Sequence, residues 1–234
     1  DLAKLDTAQL RAITTAAIGG LDSAQVASLS TLQVSSLTDG QVAGLSATQV
    51  KAIETADVAA MTTTQLQSIS SAAIAQLSTA QVAALTTAQI DDLTTAQVKS
   101  LTTAQMKALS SEQVAQLTTA QVNALSGVQV AALDAGDLAG LSAAKVQAFT
   151  TAAVAAMTTA QVAALDTAQA SGLTTAQVRA LTTTQVAALT TTQAEKLGTA
   201  QLAALTSTQV KALETADLAK LDTAQLRAIT TAAI

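Results

Sequence analysis

The 234 residues contain no histidine, cysteine, tryptophan, tyrosine or proline, and Phe149 is the one aromatic residue. Without histidine and cysteine, the chain lacks the common zinc ligands, the thiol nucleophile and the side chain that titrates near neutral pH. No serine or threonine has a candidate general base, so the hydroxyls are not expected to act as nucleophiles. We therefore predict that the protein is not an enzyme and has no catalytic residue, cofactor or metal site.

Basic charge is also scarce, because 11 Lys and Arg stand against 16 Asp and Glu, for a net charge of −5. The basic residues are scattered singly, so no nucleic acid partner is expected. Polar residues interrupt every apolar run well before the ~18 residues that suggest a membrane helix, so no membrane span is expected. The sequence starts without a basic and then apolar leader, and any targeting signal is expected to lie outside it.

The chain is built from an unbroken repeat of eight residues, here called the octad. A large apolar residue, the opener, stands at Leu5 and recurs at every eighth residue to Ile229, in all 29 copies. A second apolar series begins at Leu10, five residues after the first opener, and fails only at Ala170 and Ala194. The consensus is L-T-T-A-Q-V-x-x, and such strict self-similarity is typical of solenoids.

The polar positions of the octad predict a helix start. The residue after the opener is Ser, Thr or Asp in 26 of 29 copies, and Gln follows three residues later in 21 copies. Ser or Thr with Gln three residues on is a capping box, and apolar residues on either side of it form a hydrophobic staple. In the octad opened by Leu85, Thr86 is the expected N-cap, Gln89 the third helical residue and Ile90 the fourth. We therefore expect one short helix per octad.

Charged residues support the same register. Ten of the 11 Lys and Arg occupy the last two positions of an octad, and 13 of the 16 acids occupy the cap or the first three helical positions. These are the ends of a helix at which each sign of charge is favoured. Asp91, Asp92 and Glu195 are the exceptions.

A helix of about six residues is unstable alone, so octads must stack, and we predict an all-α solenoid with two to four octads per turn. One continuous helix is disfavoured because an eight-residue step would spread the openers around its surface. A β-solenoid is the alternative fold. It is disfavoured because the chain is rich in alanine and lacks the residues that tight turns use.

A second-order repeat marks four places in this array. Residues 1–18 recur unchanged at 217–234, and diverged versions occupy 57–74 and 137–154, each a whole number of octads apart. We call these four segments the marked units. We predict that residues 1–234 form a single continuous solenoid that is a fragment of a longer array.

The marked units contain the candidate metal ligands. Asp1, Asp57, Asp137 and Asp217 stand where other octads have Gln, and together with Asp134 they could supply oxygens to Ca²⁺. The chain has no calcium-loop motif, however, and Asp is favoured near a helix N-terminus without any metal. The structural interpretation is therefore preferred.

Three other charged residues have two interpretations each. Asp91 and Asp92 lie at a predicted helix C-terminus, where the helix dipole opposes them, and they mark either a contact for a basic partner or a solvated pair. Lys145 replaces Gln and could pair with Asp137 on the preceding octad. The solvated interpretation is preferred for the two acids.

The second Thr of the octad could form a regular row that binds ice. Against this hypothesis, other residues replace it at Asp39, Ala47, Gly127, Ala135 and Ala143, and the first Thr is used by the cap. Thermal hysteresis is the direct test of this alternative.

The octads, written L-T-x-x-Q-V-x-A-L, resemble arrays in very large repetitive bacterial proteins that are described as secreted, cell-surface or adhesin-like. This resemblance implies an extracellular stalk, fibre or spacer and carries no catalytic residues. The octads also resemble the opening L-T-P-E-Q-V-V-A-I of plant-pathogen effector repeats that bind DNA. That family is set aside because its period is in the mid-thirties and this chain lacks proline and net positive charge.

We therefore expect a structural array at the cell surface or outside the cell. Its partners are expected to be neighbouring repeats of the same chain, with lateral or end-to-end self-association. The alternative is a solenoid that binds a protein or glycan through its variable positions and marked units.

Overall fold

A computed structural model describes residues 2–229 of the chain. In this part of the chain there are 28 α-helices of four to six residues, one 3₁₀-helix at Leu2–Lys4 and no strand. The predicted all-α solenoid is confirmed, and no described helix is long and apolar enough to cross a membrane. The contacts divide the chain into two compact units, Asp1–Leu117 and Thr118–Ile234.

The first unit contains 14 α-helices among its described residues. They are α1 (Thr7–Ala12), α2 (Thr15–Gly19), α3 (Ser23–Ala27), α4 (Thr31–Ser36), α5 (Asp39–Ala43), α6 (Ala47–Ala52), α7 (Thr55–Ala60), α8 (Thr63–Ser68), α9 (Ser71–Ile74), α10 (Thr79–Ala83), α11 (Thr87–Asp92), α12 (Thr95–Ser100), α13 (Thr103–Ala108) and α14 (Ser111–Gln116).

The second unit likewise contains 14 α-helices in its described part. They are α15 (Thr119–Ala124), α16 (Gly127–Ala132), α17 (Ala135–Ala139), α18 (Ala143–Gln147), α19 (Thr151–Ala156), α20 (Thr159–Ala164), α21 (Thr167–Gly172), α22 (Thr175–Ala180), α23 (Thr183–Ala187), α24 (Thr191–Lys196), α25 (Thr199–Ala203), α26 (Ser207–Ala212), α27 (Thr215–Leu218) and α28 (Thr223–Ala228).

Each helix begins where the capping pattern predicts. In α11, Thr86 is extended (φ −71°, ψ 159°), and its hydroxyl accepts from the N–H of Gln89 at 3.1 Å. The Gln89 Oε1 in turn accepts from the N–H of Thr86 at 2.8 Å. Two of the free N–H groups at the helix start are thereby satisfied.

Most of the described helices end at the next opener, and the others end a few residues before it. Leu93 ends α11 in an extended conformation (φ −57°, ψ 138°), and its N–H donates to the Ile90 carbonyl at 3.3 Å. The opener and the following cap are therefore two successive extended residues, and together they form a corner of the chain. No described residue has a positive φ, so these corners do not use the left-handed glycine that ends many other helices.

Within each unit, every helix packs beside the helix three octads further on, as α5 does with α8 and α16 with α19. Three octads therefore make one turn of 24 residues, which lies inside the predicted range of two to four. Each turn has three helices and three corners, and each corner lies beside the corner one turn away.

Both apolar series face the interior of the coil. Val98 and Leu101 are 0% and 4% exposed, and the unusual openers Met61, Phe149 and Met157 are equally buried. Burying a Leu or Val side chain contributes ~1.5–3 kcal/mol. Within each unit, the core is thus a continuous apolar column supplied by two residues per octad.

Adjacent turns approach closely where the first helical residue meets the last residue of the helix one turn on. A Cβ added to Gly127, the first residue of α16, would lie 2.7 Å from the Cβ of Ala156 at the end of α19. A Cβ at Gly44 would lie 2.5 Å from the Thr15 Cγ2. The small residues that dominate the last octad position are explained by this proximity.

Candidate functional site

The functional group that recurs in most octads is the side-chain amide of the glutamine at the third helical position. In α12, the Gln97 Oε1 accepts from the N–H of its own cap, Thr94, at 2.9 Å. Its Nε2 donates to the carbonyls of Leu66 and Ile69, both at 2.8 Å, at the corner one turn earlier. We call this arrangement the corner clamp, because one side chain joins the corner to which it belongs to the adjacent corner.

The corner clamp recurs throughout both units. The Nε2-to-carbonyl distance to the residue 28 positions earlier is 2.5–2.9 Å in each case. The glutamines are Gln33, Gln41, Gln49, Gln65, Gln81, Gln89, Gln97, Gln105, Gln113, Gln161, Gln169, Gln177, Gln185, Gln193, Gln201, Gln209 and Gln225. All are buried, and no buried side-chain nitrogen or oxygen in the described residues lacks a hydrogen-bond partner.

The clamp was not predicted from the sequence, although one signal for it was present. Glu and Gln serve equally in a capping box, since the box needs only an acceptor at this position. Only the amide of Gln can also donate, and the chain never places Glu there. The preference for Gln over Glu at this position is therefore explained by its two carbonyl acceptors one turn away.

Glutamine is replaced at the third helical position only within the marked units. The replacements at this position are Asp1, Ala17, Asp57, Ala73, Asp137, Lys145, Ala153, Asp217 and Ala233. Each marked unit supplies this position to three successive octads, and three octads are one complete turn.

The aspartates of the marked units form other contacts. Asp57 is buried in α7, and its carboxylate accepts from the Thr31 hydroxyl at 2.6 Å. Asp217 is buried in α27 and accepts from the N–H of Glu214 at 3.3 Å. The caps of these helices are the acidic residues Glu54 and Glu214, and neither side chain forms the usual cap bond. Asp134, which caps α17, likewise lacks this bond.

The candidate calcium ligands are not assembled in the described part of the chain. No group of three or more carboxylates there is close enough to hold a metal ion. Asp1 lies outside the described residues, as does the end of the marked unit 217–234. Asp57, Asp137 and Asp217 each occupy the third position of a helix, where the preferred structural interpretation places them.

The other charged candidates differ in exposure, since Asp91 and Asp92 are exposed and Lys145 is half-buried. Asp91 and Asp92 are exposed at the end of α11, where the Asp92 carbonyl accepts from the Gln67 side chain at 2.6 Å. Lys145 is the third residue of α18, and its N–H donates to the Ser142 hydroxyl at 3.4 Å. That Asp91 and Asp92 form a contact for a basic partner stays a prediction.

Stacking places the second Thr of every third octad in one row. In the first unit, the row of Thr31, Thr55, Thr79 and Thr103 is exposed and unbroken. The replacements Asp39 and Ala47 belong to the other two rows of that unit. In the first unit, the replacements Asp39 and Ala47 therefore leave one row of threonines intact.

The surface grooves are shallow and lie between neighbouring turns. One groove of about 440 Å³ lies at the corner of Ile53 and Glu54, with Lys51 and Ser78 in its wall. Another, of about 350 Å³, is lined by Arg11, among other residues. Neither groove pairs a hydroxyl nucleophile with a histidine base, since the chain contains no histidine.

Comparison with known proteins supports the repeat. The model of the ALTTAQ repeat matches residues 2–39, 50–87, 93–127, 104–135, 130–167, 162–199 and 210–234. The letters A-L-T-T-A-Q stand in this chain at residues 84–89, across the corner that precedes α11. None of the curated proteins matches the chain. Because the repeat model covers most of the sequence, the chain belongs to the ALTTAQ repeat family.

Proposed function

We propose that this chain is a non-enzymatic structural array that serves as an elongated stalk, fibre or spacer in a bacterial cell-surface or filamentous protein. The observation that carries the proposal is the corner clamp. The most regular polar side chains of the octad are buried and form internal hydrogen bonds, so their regularity serves the coil itself. We expect so regular an array to serve as an elongated structural element.

The exposed apolar side chains favour a structural array over the alternative of a binding module. Large exposed apolar residues in the described part of the chain are Leu32, Val128 and Leu226, and they lie in separate octads. Binding surfaces usually present contiguous apolar patches, whereas single exposed residues are common on any protein. The structural role is therefore the better supported of the two.

Electron microscopy of the native protein tests this function. Antibodies raised against the 234-residue chain, coupled to gold, should label the outside of intact cells that produce the protein, along thin extended structures. Label that appears only after the cells are opened would contradict the proposed location. Purified native protein that forms short isolated rods would contradict the proposed fibre.

Ice binding is the second candidate function, and the intact row of exposed threonines favours it. Regularly spaced methyl and hydroxyl groups are the chemistry that such a surface would need. Thermal hysteresis of the purified chain is the test. The Thr55→Leu and Thr79→Leu double variant should lose the effect, and its absence from the unmodified chain would reject this candidate.

A further inference from the structure

The missing clamps are concentrated in single turns of the coil. In the marked unit 57–74, the successive third helical residues are Asp57, Gln65 and Ala73, so two of the three corners in that turn are unclamped. If the replacements were scattered, most corners between two turns would still be clamped. Here, most of the clamps between one pair of turns are lost together.

The alanine and aspartate residues that replace glutamine cannot substitute for its amide. Alanine has no donor, and an ionised aspartate has acceptors only. Asp57 accepts from Thr31 on the helix one turn earlier, and the corner carbonyl of Leu29 therefore has no glutamine amide opposite it. Likewise, because residue 73 is alanine, the corner carbonyl of Leu45 has no glutamine amide opposite it.

The helices of the marked units carry two further weaknesses. The caps of α7, α17 and α27, the helices that contain Asp57, Asp137 and Asp217, form no side-chain bond; outside the marked units, α16 and α25 also lack it. The shortest α-helices in the described chain, α9 and α27, have four residues each and also lie in marked units. Helix length alone does not follow from the missing clamp, because α19 contains Ala153 and keeps six residues.

We infer that the marked units are opening points, at which adjacent turns of the coil separate before the rest of the array unfolds. Elsewhere the apolar column and the clamps hold neighbouring turns together, but in these turns the apolar column acts largely alone. Local opening follows the least stable part of a structure, and repeat arrays unfold in segments because each repeat contacts only its neighbours. The array would therefore open and extend at fixed positions.

Native-state hydrogen exchange of the whole chain tests this inference at three successive corners of each unit. In the first unit, the Leu45 corner is unclamped and lies between the Leu37 and Ile53 corners, which Gln65 and Gln81 clamp at 2.7 Å. The amides of all three openers donate to the carbonyl three residues earlier, at 3.1–3.2 Å. Leu45 should exchange about tenfold faster than the other two, the factor expected from roughly one net hydrogen bond.

Three variants test whether the clamp, and no other difference between the corners, sets the exchange rates. Ala73→Gln should slow exchange at Leu45 about tenfold, and Gln81→Ala should accelerate exchange at Ile53 by a similar factor while leaving Leu37 unchanged. In the second unit, Asp217→Gln should slow exchange at Leu189, with the Gln209-clamped Leu181 corner as the reference.

Equal protection of the three openers in the unmodified chain would overturn the inference. It would also be overturned if Gln81→Ala left Ile53 protected. Should Ala73→Gln fail to fold because its site is filled, the comparison within the unmodified chain and the Gln81→Ala variant still decide the question.

Discussion

Helices α8 and α9 follow each other in the chain and differ in how they are tied to the preceding turn. Both have a hydroxyl cap, Thr62 or Ser70, that accepts from the N–H three residues on, at 3.1–3.2 Å. The third residue of α8 is Gln65, whose Nε2 donates to the Val34 and Leu37 carbonyls. The third residue of α9 is Ala73, which is equally buried and donates nothing from its side chain.

This difference separates two requirements. One is the folding of an octad as a helix, and the other is the attachment of that helix to the adjacent turn. The cap and the apolar pair are present in both octads, and both fold as helices in the same register. Glutamine is therefore not needed to form the helix, and its distinctive contribution is to join two turns. The next five experiments test this division, in order of decreasing effect.

The largest loss is expected from the apolar column. Leu66→Ala in α8 and Ile74→Ala in α9 each remove a side chain that is 1% exposed, and each should cost about 2–5 kcal/mol. Chemical denaturation followed by circular dichroism measures both. Similar losses would show that the core is independent of the clamp, whereas a loss in α8 alone would contradict the division made above.

Replacing the amide should make α8 resemble α9. Gln65→Ala removes the donor to Val34 and Leu37 and should lower the free energy of unfolding by about 1–3 kcal/mol. Exposed Gln25, whose Oε1 accepts from the N–H of its cap Asp22 at 2.8 Å, offers the matched control. Gln25→Ala should cost less, and an equal loss at the two sites would argue against the inter-turn bonds.

Gln65→Glu keeps the acceptor of the capping box and removes the donor. The introduced carboxyl would be buried beside carbonyl oxygens, which disfavour its charged form and raise its pKa above the unfolded value of about 4.3. The penalty should therefore be smallest below that pH and grow as the pH rises through it. Denaturation curves between pH 3 and 7, compared with those of Gln65→Ala, measure this; a pH-independent difference would show that the carboxyl is solvated.

The close approach of turns is tested at two glycines of the second unit. Gly127→Ala places a Cβ 2.7 Å from the Ala156 Cβ and 3.2 Å from the Ala152 carbonyl oxygen, so the backbones must move apart. We expect a cost of about 1–3 kcal/mol. Gly136→Ala has no atom within 4 Å of its added Cβ and should be neutral or stabilising by up to about 1 kcal/mol. Thermal unfolding of both variants distinguishes the two sites.

The smallest effect is expected at a cap of the marked unit. Glu54→Thr should supply the missing acceptor at the start of α7 and raise the free energy of unfolding by about 1 kcal/mol. Thr62→Ala in α8 should lose a similar amount, since its hydroxyl accepts from Gln65 N–H. If Glu54→Thr gives no gain, then the acidic caps are not a weakness of the marked units.

The helix register could be predicted from the sequence because it is encoded locally. Thr86 and Gln89 satisfy each other within four residues, and the apolar residues on either side fix the face that is buried. The same local pattern placed Lys51 and Lys99 in the last turns of α6 and α12, where the structure has them. That residues 1–234 form one continuous array stays a prediction.

Which helices pack beside each other in adjacent turns could not be predicted from this local sequence pattern. The number of octads per turn depends on the angle of each corner, and an opener such as Leu93 adopts an extended conformation that many residues allow. The acceptors of Gln97 lie 28 and 31 residues earlier, a separation that becomes meaningful only once the 24-residue turn is known. The sequence shows Gln and never Glu at this position, but the two carbonyl acceptors that explain the choice become apparent only in the structure.

The three-sided turn also constrains how such a gene can change in length. Adding one octad preserves every helix and keeps both apolar series in the core, yet it moves all later residues of the array to the next side of the coil. Only additions of 24 residues leave each side with its original sequence. In the second unit, the marked units that begin at Asp137 and Asp217 are 80 residues apart, which is three turns and one octad. Successive marked units there begin on different sides, so growth by single octads would redistribute the opening points around the coil.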